Sequence, residues 1–95
     1  MENKNRINIT NNGLASISDL KLSAFIRTIS PNSFQGINRN AGNKIYFLFS
    51  NTREVSEIID GYQLGKLFTF SPLEFSNNIE QAKALVFGDY MPGKN

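Results

Sequence analysis

The groups able to do chemistry in this 95-residue chain are eight carboxylates, ten cationic side chains and three tyrosines; there is no His and no Cys. That removes the usual general base near neutral pH, the usual thiol nucleophile and the commonest soft metal ligands. A bound metal would need oxygen ligands alone, as Mg2+ or Ca2+ accept. Glu54, Glu57 and Asp60 recur at every third position and offer such a set. The same spacing also describes an ordinary solvated helix face, and that is the reading adopted. The segment Gly61-Tyr62-Gln63-Leu64-Gly65-Lys66 has neither the spacing nor the preceding strand of a phosphate-binding loop. No Ser-His or Ser-Lys arrangement can be drawn. The expectation is a protein without catalytic residues, metal or cofactor, and not an enzyme.

Binding chemistry is better represented. Lys44 and Tyr46 alternate along one candidate strand and so share a face, with Arg39 across a turn from them. A basic, aromatic sheet face can stack bases and hold phosphates. The run Lys44-Ile45-Tyr46-Phe47-Leu48-Phe49 is only distantly like the aromatic strand of an RNA-recognition motif: the glycine is missing, and Ile7 and Ile9 stand where an aromatic would. Tyr46 packed under a helix or a partner chain is the plainer alternative. Leu48, Phe68 and Phe70 are the candidates for a protein interface, since the central strand is apolar on both faces and the segment around Phe68 reads as exposed.

Composition sets the limits. At this length a single domain over residues 1–95 is expected. The hydrophobic fraction of 40%, with eight Phe, supports a core of ordinary size. The net charge of +2 and a pI of about 9.1 permit contact with phosphate without demanding it. The absence of Cys leaves the redox compartment unreadable. No apolar run reaches the roughly 20 residues of a membrane span. Met1-Glu2-Asn3-Lys4-Asn5-Arg6 has no apolar stretch behind it, so no signal peptide is expected. The default is a cytoplasmic protein, in the host cytoplasm if a phage encodes it, with no membrane partner.

The elements that must hold these residues follow from periodicity. Residues 1–13 read as a flexible arm or as an edge strand around Ile7 to Ile9, ended by Asn11-Asn12-Gly13. Ser18 reads as the N-cap of a helix whose apolar face is Leu22, Phe25, Ile26 and Ile29, stopped by Ser30-Pro31. Residues 33–38 and 44–50 read as a hairpin around Arg39-Asn40-Ala41-Gly42-Asn43, with Ile45, Phe47 and Phe49 on one face and Tyr46 and Leu48 on the other. A second helix starts at Asn51 or Thr52, where Asn51-Thr52-Arg53-Glu54 resembles a capping box with Glu54 at N3; its face is Val55, Ile58, Ile59 and Tyr62 and its end is Gly65. Leu67-Phe68-Thr69-Phe70 reads as extended. Ser71-Pro72-Leu73-Glu74 opens a third helix that buries Phe75, Ile79, Ala82 and Val86 and ends at Gly88, and residues 89–95 read as a flexible tail. The fold class is α+β: a central β-hairpin packed by three helices, extended to a ferredoxin-like βαββαβ sheet if residues 7–9 and 68–70 both join it.

From Ser18 to Gly88 the chain resembles a small family of uncharacterised α+β domains found in bacteria, archaea and their viruses. The resemblance rests on Ser18-Asp19-Leu20, Ala24-Phe25, Tyr46-Phe47-Leu48-Phe49, Asn51-Thr52 with Tyr62, Ser71-Pro72-Leu73-Glu74-Phe75 and Lys83. It implies a small α+β fold and a phage or mobile-element setting, and it brings no functional residues. The functional expectation is a small nucleic-acid-binding accessory protein of the DNA-binding kind, using Arg39, Lys44 and Tyr46. The rival is a protein–protein interaction module, a homodimer or a small inhibitor of a host or defence protein, using Leu48, Phe68 and Phe70.

Overall fold

The computed structural model describes residues 7–9, 13–39 and 44–87. They form four strands, β1 (Ile7–Ile9), β2 (Leu14–Ile17), β3 (Phe34–Arg39) and β4 (Ile45–Ser50). Three helices accompany them, α1 (Leu20–Ile29), α2 (Arg53–Leu64) and α3 (Pro72–Phe87), and the element order is ββαββαα. The sheet order is β1-β2-β4-β3, with every neighbouring pair antiparallel. Strands β2 and β3 therefore run parallel, separated by β4, and α1 makes the crossover between them.

The fold is α+β, with the hairpin β3–β4 and the three helices where the periodicity puts them. Three details differ from the sequence reading. Residues 7–9 are an edge strand, but their neighbour is β2, a strand over Leu14–Ile17 that no pattern announced. It is four residues long and apolar at three positions, too short to show a period. The cap of α1 is Asp19 and not Ser18: Asp19 Oδ1 accepts from the Leu22 N–H at 3.2 Å. Residues 68–70 do not join the sheet; they run as an extended connection between α2 and α3. The βαββαβ arrangement is thus not formed through that segment. The hairpin tip (40–43) and the tail (88–95) lie outside the described residues.

The other caps hold with one change of register. Of the two starts, Asn51 and Thr52, it is Thr52 that caps α2: its Oγ1 accepts from the Val55 N–H at 3.2 Å, which places Val55 rather than Glu54 at N3. The helix ends in a Schellman turn, with Lys66 N–H on the Gly61 carbonyl at 2.8 Å and Gly65 N–H on Tyr62 at 3.3 Å. Gly65 takes the left-handed conformation, φ 76°, that this turn requires. Ser71 Oγ accepts from the Glu74 N–H at 3.2 Å and Pro72 is the first residue of α3.

One core joins the layers. Ile45, Phe47 and Phe49 of β4, with Ala15 and Ile17 of β2, form the covered face of the sheet. Leu22, Phe25 and Ile26 of α1, Val55, Ile58 and Ile59 of α2 and Ala82 of α3 pack in the same cluster. Five consecutive residues of α1, Leu22 to Ile26, are buried, so this helix is covered nearly all round. Its hydroxyls bond within the helix: Ser23 Oγ donates to the Asp19 carbonyl and Thr28 Oγ1 to that of Ala24, both at 2.8 Å.

Helix α2 and the connection behind it approach closely at Gly61. A Cβ placed there would lie 2.6 Å from Phe68 Cζ, inside van der Waals contact. Helix propensity alone would make Gly61→Ala stabilising by about 1 kcal/mol. Phe68 is half-buried with its ring edge-on against Phe25, so moving it aside would give up that contact. The expected net result is a loss of about 1–3 kcal/mol, the cost of overpacking. Urea denaturation checks it, and a more stable variant would mean that Phe68 is free to move away.

Candidate functional site

Among the described residues the helices cover one face of the sheet, and the other face is half-buried or exposed except at Ser16, which is buried. In β4 the alternation is complete: Ile45, Phe47 and Phe49 are buried, and Tyr46, Leu48 and Ser50 are half-buried on the reverse side. Register assembles the rest of that side. Leu14 and Ser16 of β2 lie opposite Ser50 and Leu48, and Asn38 and Gly36 of β3 lie opposite Tyr46 and Leu48. A bulge falls between Phe34 and Gly36. It turns Gln35 onto the same side, where its Nε2 donates to Ser50 Oγ at 2.9 Å. The result is a short apolar strip, Tyr46 and Leu48 with Leu14, bordered by hydroxyls and amides.

Lys44 and Tyr46 do come together on this surface, with Lys44 Nζ 5.9 Å from the Tyr46 ring centroid, at the outer limit of a cation–π contact. Arg39 does not join them. It pairs with Ile45 and so projects from the covered side of the sheet, where it is exposed beside the helix layer. The residues singled out as an interface also divide. Leu48 is on the uncovered sheet face. Phe68 and Phe70 lie among the helices, with ring centroids 4.9 and 5.4 Å from that of Phe25. Phe68 is half-buried and part of the core's margin, while Phe70 stays 38% exposed. Glu54, Glu57 and Asp60 are exposed on α2, and among the described residues no group of three acidic side chains is arranged to hold a metal ion.

Two surfaces escaped the sequence reading. Leu64, Leu67 and Leu73, 79%, 97% and 69% exposed, cluster in sequence around the connection from α2 to α3. Beside them in interest is a polar cleft of about 360 Å3 between α1 and α3, lined by Arg27, Pro31, Glu74, Asn77, Asn78 and Gln81. Arg27 is half-buried, and desolvation pulls its pKa below the ordinary value. Its guanidinium carbon lies 4.2 Å from the Phe34 ring centroid, and Nη2 donates to Gln81 Oε1 at 3.3 Å. Asn78 Nδ2 donates to Thr28 Oγ1 at 3.0 Å across the same seam. The signal that could have found this cleft is positions 74, 77, 78 and 81: four polar residues at i, i+3, i+4, i+7, a helix face as regular as any apolar one here.

Among the described residues no helix is long and apolar enough to cross a membrane. No family model, curated protein or solved structure matches the chain.

The two faces of β4 make opposite demands on stability. Phe47→Ala should cost about 3–5 kcal/mol, because it opens a cavity in the buried face. Tyr46→Ala should cost about 1 kcal/mol or less, the worth of a cross-strand neighbour. Urea midpoints of the two variants check this, and equal losses would mean that the Tyr46 side is covered as well.

Proposed function

We propose that this protein is a small, non-enzymatic nucleic-acid-binding module that takes a single strand across the uncovered face of its sheet. The observation that carries the reading is the half-exposed position of Tyr46 on the side of β4 away from the core, with Lys44 beside it and, among the described residues, no helix packed over it. An aromatic ring on an open sheet offers a stacking platform to any base, and a neighbouring ammonium meets the phosphate that follows. The amides and hydroxyls of Gln35, Asn38 and Ser50 border that path and can donate to sugar or phosphate oxygens. Arg39, on the other side of the sheet, is not part of this surface. Single strands are favoured over duplex because the surface is a flat sheet face with one aromatic, not a helix or arm shaped for a groove. A phage or mobile-element origin rests on the family resemblance alone.

Leu64, Leu67 and Leu73 favour a second reading, a protein-interaction module docking through the connection between α2 and α3. Phe70 would belong to that surface, and Leu48 to the sheet face instead.

Fluorescence anisotropy with labelled single- and double-stranded DNA and RNA at two salt concentrations separates the readings. Binding to single strands should weaken with salt, and Lys44→Ala should lower the slope of log K against log salt by about 0.7. Tyr46→Ala should weaken binding by about 1–3 kcal/mol, the worth of one stacked base. No binding to any strand at low salt would end this proposal and leave the apolar surface as the site of function.

A further inference from the structure

The cleft between α1 and α3 is unlike a packing seam. Helix α3 turns a regular polar face toward it, Glu74, Asn77, Asn78 and Gln81, although α1 and α3 pack against each other along their length. Asn78 is accounted for by its bond to Thr28. Glu74 stands in the first turn of α3, where its charge suits the helix start, but among the described residues it has no ionic partner there. Arg27 is partly desolvated, yet among the described residues its polar partner is the neutral amide of Gln81 and it forms no ion pair. Glu74 lines the same cleft and forms no ion pair either, so the opposite charges share about 360 Å3 without closing on each other. The contacts of the Arg27 guanidinium are instead the Phe34 ring beneath it and Gln81 beside it.

Opposite charges standing apart across a small cleft match a ligand that carries both signs. We propose that this cleft binds a small zwitterion of the α-amino-acid type, its carboxylate on Arg27 and its ammonium on Glu74. The volume is at the small end of ligand sites, about 300–1,000 Å3. The guanidinium fork suits a carboxylate, and a carboxylate would offset the desolvation that Arg27 bears in its present place. A dianion such as phosphate would meet Glu74 as a like charge, and a simple amine would meet Arg27 in the same way. The side-chain amides of Asn77 and Gln81 donate and accept, so they can serve either end of the ligand. The site is independent of the nucleic-acid reading: it lies among the helices, on the opposite side of the sheet from Tyr46.

The test is an NMR titration of the 15N-labelled protein with individual L-amino acids. The controls are acetate and ethylamine at matched ionic strength, and the resonances followed are Arg27 Nε–H and the side-chain amides of Asn77, Asn78 and Gln81. At least one amino acid should shift these resonances saturably, while acetate and ethylamine do not. Arg27→Gln should weaken that binding by about 10- to 150-fold, the worth of one charge-assisted hydrogen bond. Glu74→Gln, at an exposed side chain and so with the fold intact, should weaken the amino acid and admit acetate. Absence of saturable shifts with every amino acid would overturn the proposal. So would saturable shifts that persist unchanged in Glu74→Gln or in a folded Arg27→Gln variant.

Discussion

Everything in the helix layer turns on the ring of Phe25. It sits on α1, the helix buried nearly all round, and four aromatic side chains converge on it: Tyr62 from the end of α2, Phe68 and Phe70 from the connection, and Phe75 from the start of α3. Three of the four meet it close to edge-on, at interplanar angles of 77° to 88°, the arrangement that sets the positive edge of one ring against the negative face of another. Each such pair is worth about 0.5–1.5 kcal/mol beyond the area it buries. This cluster is what ties α2 to α3. It explains why residues 66–71 run extended without joining the sheet: their aromatic side chains are held by a helix, and their backbone is left to the surface. It also explains Gly61, since the approach of Phe68 leaves no space for a methyl group.

The sheet obeys a different constraint. Its period of two assigns every second residue of β4 to the core, and register with β2 and β3 carries the assignment outward. That rule, more than any property of the side chains, separates the functional candidates. Lys44 and Tyr46 are an even number of positions apart and share a face. Arg39 is opposite Ile45 and falls on the other. Leu48 follows Tyr46 to the uncovered side, while Phe68 and Phe70 belong to the helices. A chain with so few charged residues thus presents separate surfaces in place of one site: a sheet face with an aromatic at its centre, an apolar connection, and a polar cleft.

The cleft shows how a helix of weak amphipathic character is used. Helix α3 fully buries only Ala82, with Phe75, Ile79, Leu85 and Val86 half-covered around it. Its adjacent polar face is engaged instead through Gln81 to Arg27 and Asn78 to Thr28. A polar seam of this kind stabilises little by itself, since each such bond contributes about 0.5–1.5 kcal/mol net. It does fix how α3 sits on α1, and so where Glu74 and Asn77 stand relative to Arg27.

The sequence by itself determined the helices, their stops and the strong strand. Those signals are local: the i, i+3, i+4, i+7 apolar faces of α1 and α2, the Ser71-Pro72 opening, Gly65 past the last turn of α2, and the alternation of Ile45 to Phe49. It also separated Tyr46 and Leu48 from the buried face, because strand alternation needs no knowledge of neighbours. Only the tertiary structure decided what depends on distant partners. Leu14–Ile17 is a strand because β4 and β1 pair with it, and four residues carry too short a pattern to say so alone. Leu67 to Phe70 looks like a strand by composition, and the pull of Phe25 made it a connection. Arg27 stood among scattered basic residues until α3 brought Gln81, 54 positions further along the chain, to within 3.3 Å of it. Local periodicity records which face of an element is apolar. Which element covers that face, and which polar groups meet at its border, is a matter of packing between segments far apart in the chain.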